Sequence, residues 1–204
     1  MNENTAPLPE IGSPFEGGFF VGTLFVGDQA FALVRAPKAE GQHDDTPWND
    51  DWVPVEGAGS YNDGLTNTAA MAAAGSEVAT WARERTIAGH GDWYIPAQDE
   101  LELCYRALKP GTDTNTLYGR SGLNASAMPA TYPYTNALPA QTPAAAFQTG
   151  GAEAFDEGWY WSSTQRAGYG GFAWCQSFGD GHQYDNLKDV SCRVLLVRRI
   201  PFTY

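Results

Sequence analysis

From Gly17 to Ala36 the chain reads GGFFVGTLFVGDQAFALVRA. Two apolar-rich runs separated by Gly27-Asp28 predict a β-hairpin. Within residues 64–86, GLTNTAAMAAAGSEVATWARERT, the side chains Met71, Ala74, Val78 and Trp81 recur at helical spacing, while Glu77 and Arg83 to Arg85 lie on the wet side. This predicts one amphipathic helix, in which Gly75 costs ~1 kcal/mol relative to alanine. Trp93 to Ile95 reads as a short strand ended by Pro96. A second helix is predicted from Gln98 to Lys109, with Asp99 and Glu100 in its positive first turn and Pro110-Gly111 beyond its end. In it, Cys104 falls at helical spacing with Leu101, Tyr105 and Leu108, the pattern of a small buried hydrophobe. Residues 172–178 alternate. Phe172, Trp174, Gln176 and Phe178 share one face, and Ala173, Cys175 and Ser177 the other. With Trp174 and Phe178 taken as core, Cys175 and Ser177 face outward. The apolar run Val194 to Val197 reads as a strand buried on both sides.

Between these elements the pattern is weak. Residues 1–14 hold three prolines and read as a tail or assembly arm, leaving 15–204 as a single domain. The segment KAEGQHDDTPWNDD reads as a solvated acidic loop. Its oxygen ligands suit calcium, but the spacing of a calcium loop is absent. Residues 111–158 form a long irregular excursion, a length that points to a functional or fold-specific segment. Within it, Thr142-Pro143 ahead of AAAFQTGG predicts one short helix with Thr142 as its cap.

Composition narrows the function. The 204 residues carry a net charge of −12, which argues against nucleic acid or an anionic membrane as partner. No apolar run approaches the ~20 residues that span a bilayer, so membrane insertion is not expected. The start, MNENTAPLPEIG, lacks a basic region followed by an apolar one. The expectation is therefore synthesis in the cytoplasm without a secretory signal, with assembly into a virion as one destination. Cys104, Cys175 and Cys192 are odd in number and lack C-x-x-C spacing, so neither a disulfide framework nor a zinc site is expected. Ser162, Ser163 and Thr164 lack a G-x-S-x-G elbow, and His43, His90 and His182 occupy no recognisable partner positions. No catalytic residue, metal site or cofactor is assigned.

Three pieces occur in order: GDWYIPAQDEL, then YWSST, then AW-x-x-x-F-x-x-G ahead of CRVLLVRR. Over roughly residues 60–200 this resembles the C-type-lectin-fold family of bacterial and phage proteins in the formylglycine-generating-enzyme-like superfamily. The resemblance implies an α+β, C-type-lectin-like domain: two helices, a small twisted mostly antiparallel sheet and long irregular loops. The N-terminal hairpin would extend that sheet or meet a second copy in a homo-oligomer. Ala97 departs from the pattern, because the family usually caps the second helix there with Ser or Thr, a difference of roughly 1 kcal/mol. Within the superfamily the chain is most similar to the variable proteins of diversity-generating retroelements. The resemblance implies a phage or prophage module that binds a protein or glycan receptor on a cell surface. Two other readings are an oxidase of the formylglycine-generating type, with Cys175 and Cys192 as the available pair, and a calcium-dependent sugar-binding lectin. Trp48-Asn49-Asp50 matches the calcium tripeptide of such lectins, but stands before the first helix rather than near the C-terminus.

In those variable proteins, asparagine codons are diversified into codons that never encode Gln, Lys, Glu, Met or Trp. Within the candidate variable region 159–199, Gln165, Trp174, Gln176, Gln183 and Lys188 would then be fixed scaffold. Their number is no lower than in ordinary sequence; only the partition is informative. The expected ligand-binding residues are Arg166, Tyr169, Gly171, Phe172, Cys175, Ser177, Asp180, His182, Tyr184, Asp185, Asn186, Leu187, Asp189 and Ser191, on one contiguous face. Rigid aromatics among small polar groups and glycines are the composition of an adaptable binding surface.

Overall fold

The computed structural model describes residues 7–203, so the first six residues of the expected tail lie outside the described part. The architecture is α+β. The N-terminal hairpin forms as its turn dictates, from strands β2 (Gly18–Val26) and β3 (Gln29–Arg35), with β1 (Pro14–Phe15) along its edge. The tail is not free from Glu10 onward: the Gly12 amide donates to Phe20 O and the Phe20 amide to Ser13 O. The expected acidic loop contains a helical turn, α1 (Lys38–Gly41), and a polar strand, β4 (Gln42–Thr46).

The helix expected over 64–86 is two helices, α2 (Gly64–Ala73) and α3 (Glu77–Arg83). Gly75 has φ +90°, a left-handed conformation that ends α2 in the way glycine permits. Ser76 then caps α3, accepting from the Ala79 amide and donating its hydroxyl to Trp48 O at 2.7 Å. Ala74, expected on the apolar face, is exposed as a result.

Helix α4 (Gln98–Leu108) matches its expected span, and its start shows how the missing cap at Ala97 is replaced. Thr164 Oγ1 accepts the Gln98 amide at 2.9 Å and Tyr61 O accepts the Asp99 amide at 2.8 Å. The Glu100 side chain turns back to accept the Ala97 amide at 2.7 Å and the Gly64 amide at 3.1 Å. Three segments, residues 61–64, the start of α4 and the end of β5, are thereby joined at one helix end.

Past a 3-10 turn (Ala145–Phe147), where Thr142 accepts the Ala144 amide rather than capping a full helix, five more strands follow. They are β5 (Trp159–Gln165), β6 (Phe172–Ser177), β7 (Gln183–Leu187), β8 (Cys192–Leu195) and β9 (Val197–Pro201). One sheet has the order β1-β2-β3-β9 and the other β4-β8-β5-β6-β7. All pairs are antiparallel except β5 with β8. The run Val194 to Val197 is buried as expected, but it does not belong to one strand. The chain crosses at Leu196 from one sheet to the other.

Apolar side chains fill the space between sheets and helices in two clusters, one around Trp48, Trp93 and Trp161, the other around Tyr105, Phe155, Tyr160 and Phe178. The irregular stretch 111–158 is held by buried amides and a buried ammonium group instead of regular structure. Asn115 Oδ1 accepts from Lys109 Nζ and Tyr105 OH, both at 2.8 Å, and Asn124 Nδ2 donates to Asp99 O and Glu102 Oε2, both at 2.7 Å. Each such bond spares a buried polar group the cost of desolvation without a partner.

Candidate binding face at the β5–β7 end

Strand β7 is the edge of its sheet, and its side chains from Tyr184 to Leu187 are exposed or half-buried. Registry decides what each face carries. Trp161 pairs with Cys175 and Cys175 with Tyr184; Trp174 pairs with Asp185 and Phe172 with Leu187. Cross-strand partners share a face. On the first face, the Trp159, His182 and Tyr184 rings lie with centroids 5.7–6.4 Å apart, and Tyr118 from the excursion meets His182 at 5.9 Å. Trp159 is 36% exposed, Tyr184 50% and Tyr118 71%. Ser177 lies between them, opposite Trp159, and is small enough to let the rings meet. On the second face, Arg166 forms an ion pair with Asp185 and lies 4.4 Å over the Tyr169 ring, which in turn meets Phe172 edge-on at 6.4 Å.

The single contiguous face is therefore corrected to two. Ser177, His182, Tyr184 and Asn186 belong to the first; Arg166, Tyr169, Phe172, Asp185 and Leu187 belong to the second. Cys175 is a further correction, because it is buried and cannot touch a ligand. The expectation holds for Phe178, which is buried, and for Ser177, which is half-buried, but it is inverted for Trp174 and Cys175. Ala173 and Cys175 enter the core beside Trp161, whereas Trp174 and Phe172 are half-buried. Gln176 and Phe178 on the Trp174 side are buried as well, so both sides of β6 are covered near its end. Asp180 is occupied. Its carboxylate accepts from Thr116 Oγ1 at 2.7 Å and from the His182 amide at 3.2 Å. Burial alone would raise its pKa, but hydrogen bonds from Ser177 and Thr116 outweigh it and hold the carboxyl below its usual range. Gly171 is half-buried, its carbonyl accepting the Lys188 amide, while Asp189 and Ser191 are exposed in the turn after β7.

Of the five side chains expected as fixed scaffold, Gln176, Gln183 and Lys188 are buried, whereas Gln165 and Trp174 are half-buried. Lys188 is buried, with Nζ donating to Gln165 Oε1 at 2.7 Å and to Val53 O at 2.9 Å while lying 4.4 Å over the Trp48 ring. Burial lowers its pKa to about 8. Gln176 Nε2 donates to Tyr134 OH and to Gly181 O, tying the β6–β7 turn to the excursion. Gln183 is buried opposite Gln176.

Residues 42–198, from the first residue of β4 into β9, match the sequence model of the Lcl C-terminal domain. The chain belongs to that family. A comparison with curated proteins gives no match. The hairpin β2–β3 lies outside the matched residues, and β3 pairs with β9 from Phe31–Pro201 to Arg35–Val197; of β9 only Val197 and Arg198 fall within the match.

The chemistry of this Lcl C-terminal domain follows from the same contacts. Ser162, Ser163 and Thr164 are fully buried. The Ser162 hydroxyl donates to Trp174 O, the Ser163 amide to Pro96 O and the Thr164 hydroxyl to Ser60 O, each at 2.8 Å. The run is a fastener between the sheet and the start of α4. Cys175 and Cys192 lie close together, and the Cys175 thiol is pushed well above its usual range by its hydrogen bond with Cys192 and by burial. That is the reverse of what activates a thiolate. Trp48 is buried, its indole N–H donating to Ser162 O at 2.9 Å, and Asn49 is buried beside it, whereas Asp50 is exposed. Among the described residues no three His, Cys, Asp or Glu side chains converge as a metal site, and no helix is long and apolar enough to cross a membrane.

Proposed function

We propose that this Lcl C-terminal domain is a C-type-lectin-like binding module, the receptor-binding variable protein of a phage or prophage, whose β5–β7 end presents exchangeable side chains to a protein or glycan on a cell surface. The observation that carries the reading is the division of labour along 165–192. Gln176, Gln183 and Lys188 are buried, and Gln165 clamps Lys188 from a half-buried position. All are types that adenine-directed diversification cannot produce. Tyr169, Tyr184, Asp189 and Ser191, types it can produce, are exposed. Trp174 is half-buried, and Ala173, Cys175, Phe178 and Cys192, types that diversification can produce, are buried, so the division is partial. Exposed positions on a preorganised frame change with little loss of stability, which is what a diversifiable receptor binder requires.

Two measurements test it. The surrounding DNA is expected to hold a near-identical repeat of codons 159–199, with adenines at the exchangeable positions, beside a reverse transcriptase gene. A displayed library randomised at Tyr169, His182, Tyr184, Asn186 and Asp189 is expected to remain protease-resistant in most members and to yield binders against intact bacteria. Absence of the repeat removes diversification from the reading, and a library that is mostly unfolded removes the scaffold.

A further inference from the structure

Beside the second face is an exposed apolar lip that precedes the candidate variable region. Trp52 and Val53 are each 58% exposed and Tyr169 is 57% exposed. The turn carrying Tyr169 lies directly on the segment carrying the other two. A Cβ placed on Gly171 would stand 3.3 Å from Trp52 Cβ, and one on Gly170 would collide with Pro54. The lip is fixed from below, because Lys188 Nζ holds Val53 O and Gln165 Oε1 accepts the Val55 amide at 2.6 Å. The Trp48 and Asn49 amides both donate to Lys188 O, at 2.8 and 3.3 Å, which brings Asp189 alongside the chain leading to Asp50 and Asp51. All three carboxylates are exposed, and among the described residues none has a hydrogen-bond or ion-pair partner.

The aromatic faces add a second argument. Lys188 covers Trp48, Arg85 covers Trp81, Arg198 covers Trp93 and Arg166 covers Tyr169. Trp52, the most exposed tryptophan, has no cation over it among the described residues. An indole face beside unpaired carboxylates attracts a guanidinium or ammonium group by its quadrupole and by their charge. Rigid backbone beneath a solvent-facing Trp and Val means that little ordering is lost when a partner arrives.

We propose that this lip docks a basic protein surface, with an arginine or lysine side chain laid on Trp52, apolar contact from Val53 and Tyr169, and charge compensation from Asp50, Asp51 and Asp189. The net charge of −12 favours such a partner over an acidic one. The inference deepens the preceding reading and rests on it through Tyr169. Trp52 and Val53 would give every variant the same constant contact, leaving selectivity to the exchangeable positions.

The test uses the full chain and two fluorescent octapeptides, one alternating arginine with leucine and one alternating glutamate with leucine, read by anisotropy. Saturable binding is expected for the arginine peptide only. It should weaken about tenfold in the Trp52→Ser/Val53→Ser variant. It should weaken about threefold in Asp50→Asn/Asp51→Asn/Asp189→Asn and in about 0.5 M salt. It should persist in His182→Ser/Tyr184→Ser, so that failure of the exchangeable face and failure of the lip are told apart. Equal binding of the glutamate peptide, undiminished binding to the Trp52→Ser/Val53→Ser variant, or no binding of the arginine peptide overturns the proposal. Should that variant lose its native circular dichroism, the Trp52 indole N–H resonance of the parent chain decides. Movement on adding the arginine peptide supports the lip, and a stationary signal overturns it.

Discussion

Lys188 Nζ donates to Gln165 Oε1 across 2.7 Å, joining the residue that ends β5 to the one that follows β7. Among the described residues the same ammonium group has no carboxylate partner; carbonyl oxygens and the Trp48 ring take that place. Replacing Lys188 by Ala should cost ~1–3 kcal/mol, since acceptors are left buried and unpaired. Burial lowers the folded pKa to about 8, below the unfolded value of 10.5, so the unfolded chain binds more protons between those limits. Stability attributable to Lys188 should therefore rise from pH ~8 to ~10.5 and stay at its reduced level below ~8. Urea melts across that range should show the rise in the parent and lose it in Lys188→Met.

Glu100 should give the opposite slope in a different window. Burial raises its pKa from 4.5 to about 7, despite hydrogen bonds from Tyr94 and two backbone amides. The folded chain thus holds that proton more tightly, and stability should fall as pH rises through this interval and level off above it. Glu100→Gln should flatten the profile between about pH 4.5 and 7 relative to the parent, and Glu100→Ala should cost ~2–4 kcal/mol, because three buried donors lose their acceptor.

At the start of α4, Thr164 rather than residue 97 is the place to intervene. Thr164→Val should cost ~1–2 kcal/mol by leaving the Gln98 amide without its acceptor. Ala97→Ser, which restores the usual cap residue, should gain less than ~0.5 kcal/mol, because Tyr61 O and Thr164 already serve those amides. Paired thermal melts compare the two variants directly.

Cys175 lies where the positions proposed as exchangeable meet the core. Tyr169, Tyr184 and Asn186 changed together to Ser should shift stability by no more than ~0.5 kcal/mol each. Cys175→Tyr should unfold the chain or cost more than ~3 kcal/mol by overfilling the space beside Trp161, and Trp161→Ala should cost ~3–5 kcal/mol. In the native chain the Cys175 and Cys192 thiols should resist a disulfide reagent at pH 8 until denaturant is added, as their burial requires.

Where the sequence carried a strong local signal, the fold was legible in it. Gly27-Asp28 between apolar runs placed β2 and β3, and the acidic first turn with Pro110 bounded α4. The break between α2 and α3 was also written there, as Gly75 before Ser76. Its meaning as a stop followed by a cap was obscured by the helical spacing that continues through both helices. Strand β4 escaped because an edge strand of His, Asp and Thr has no apolar alternation to betray it. At β6 the period was clear but its phase was not. A strand covered on both sides gives no contrast, and residue size favoured Trp174 over Cys175 for the interior. Trp52 and Val53 were silent because nothing in WNDDWVPV reveals that Gly170 and Gly171 lie against it.

The crossing at Leu196 bears on how such a protein is made. Strand β4 pairs with β8 and β3 with β9, so segments near the start of the chain wait for partners more than a hundred residues downstream. Neither sheet closes until translation has passed residues 165–192, and non-local closure of this kind is slow and leaves edges uncovered meanwhile. A draw that jams β5–β7 would therefore leave the early hairpin unpartnered too, presenting cellular proteases with the whole chain. If the chain is diversified as proposed, unfit variants would be removed at synthesis, before they could bind anything.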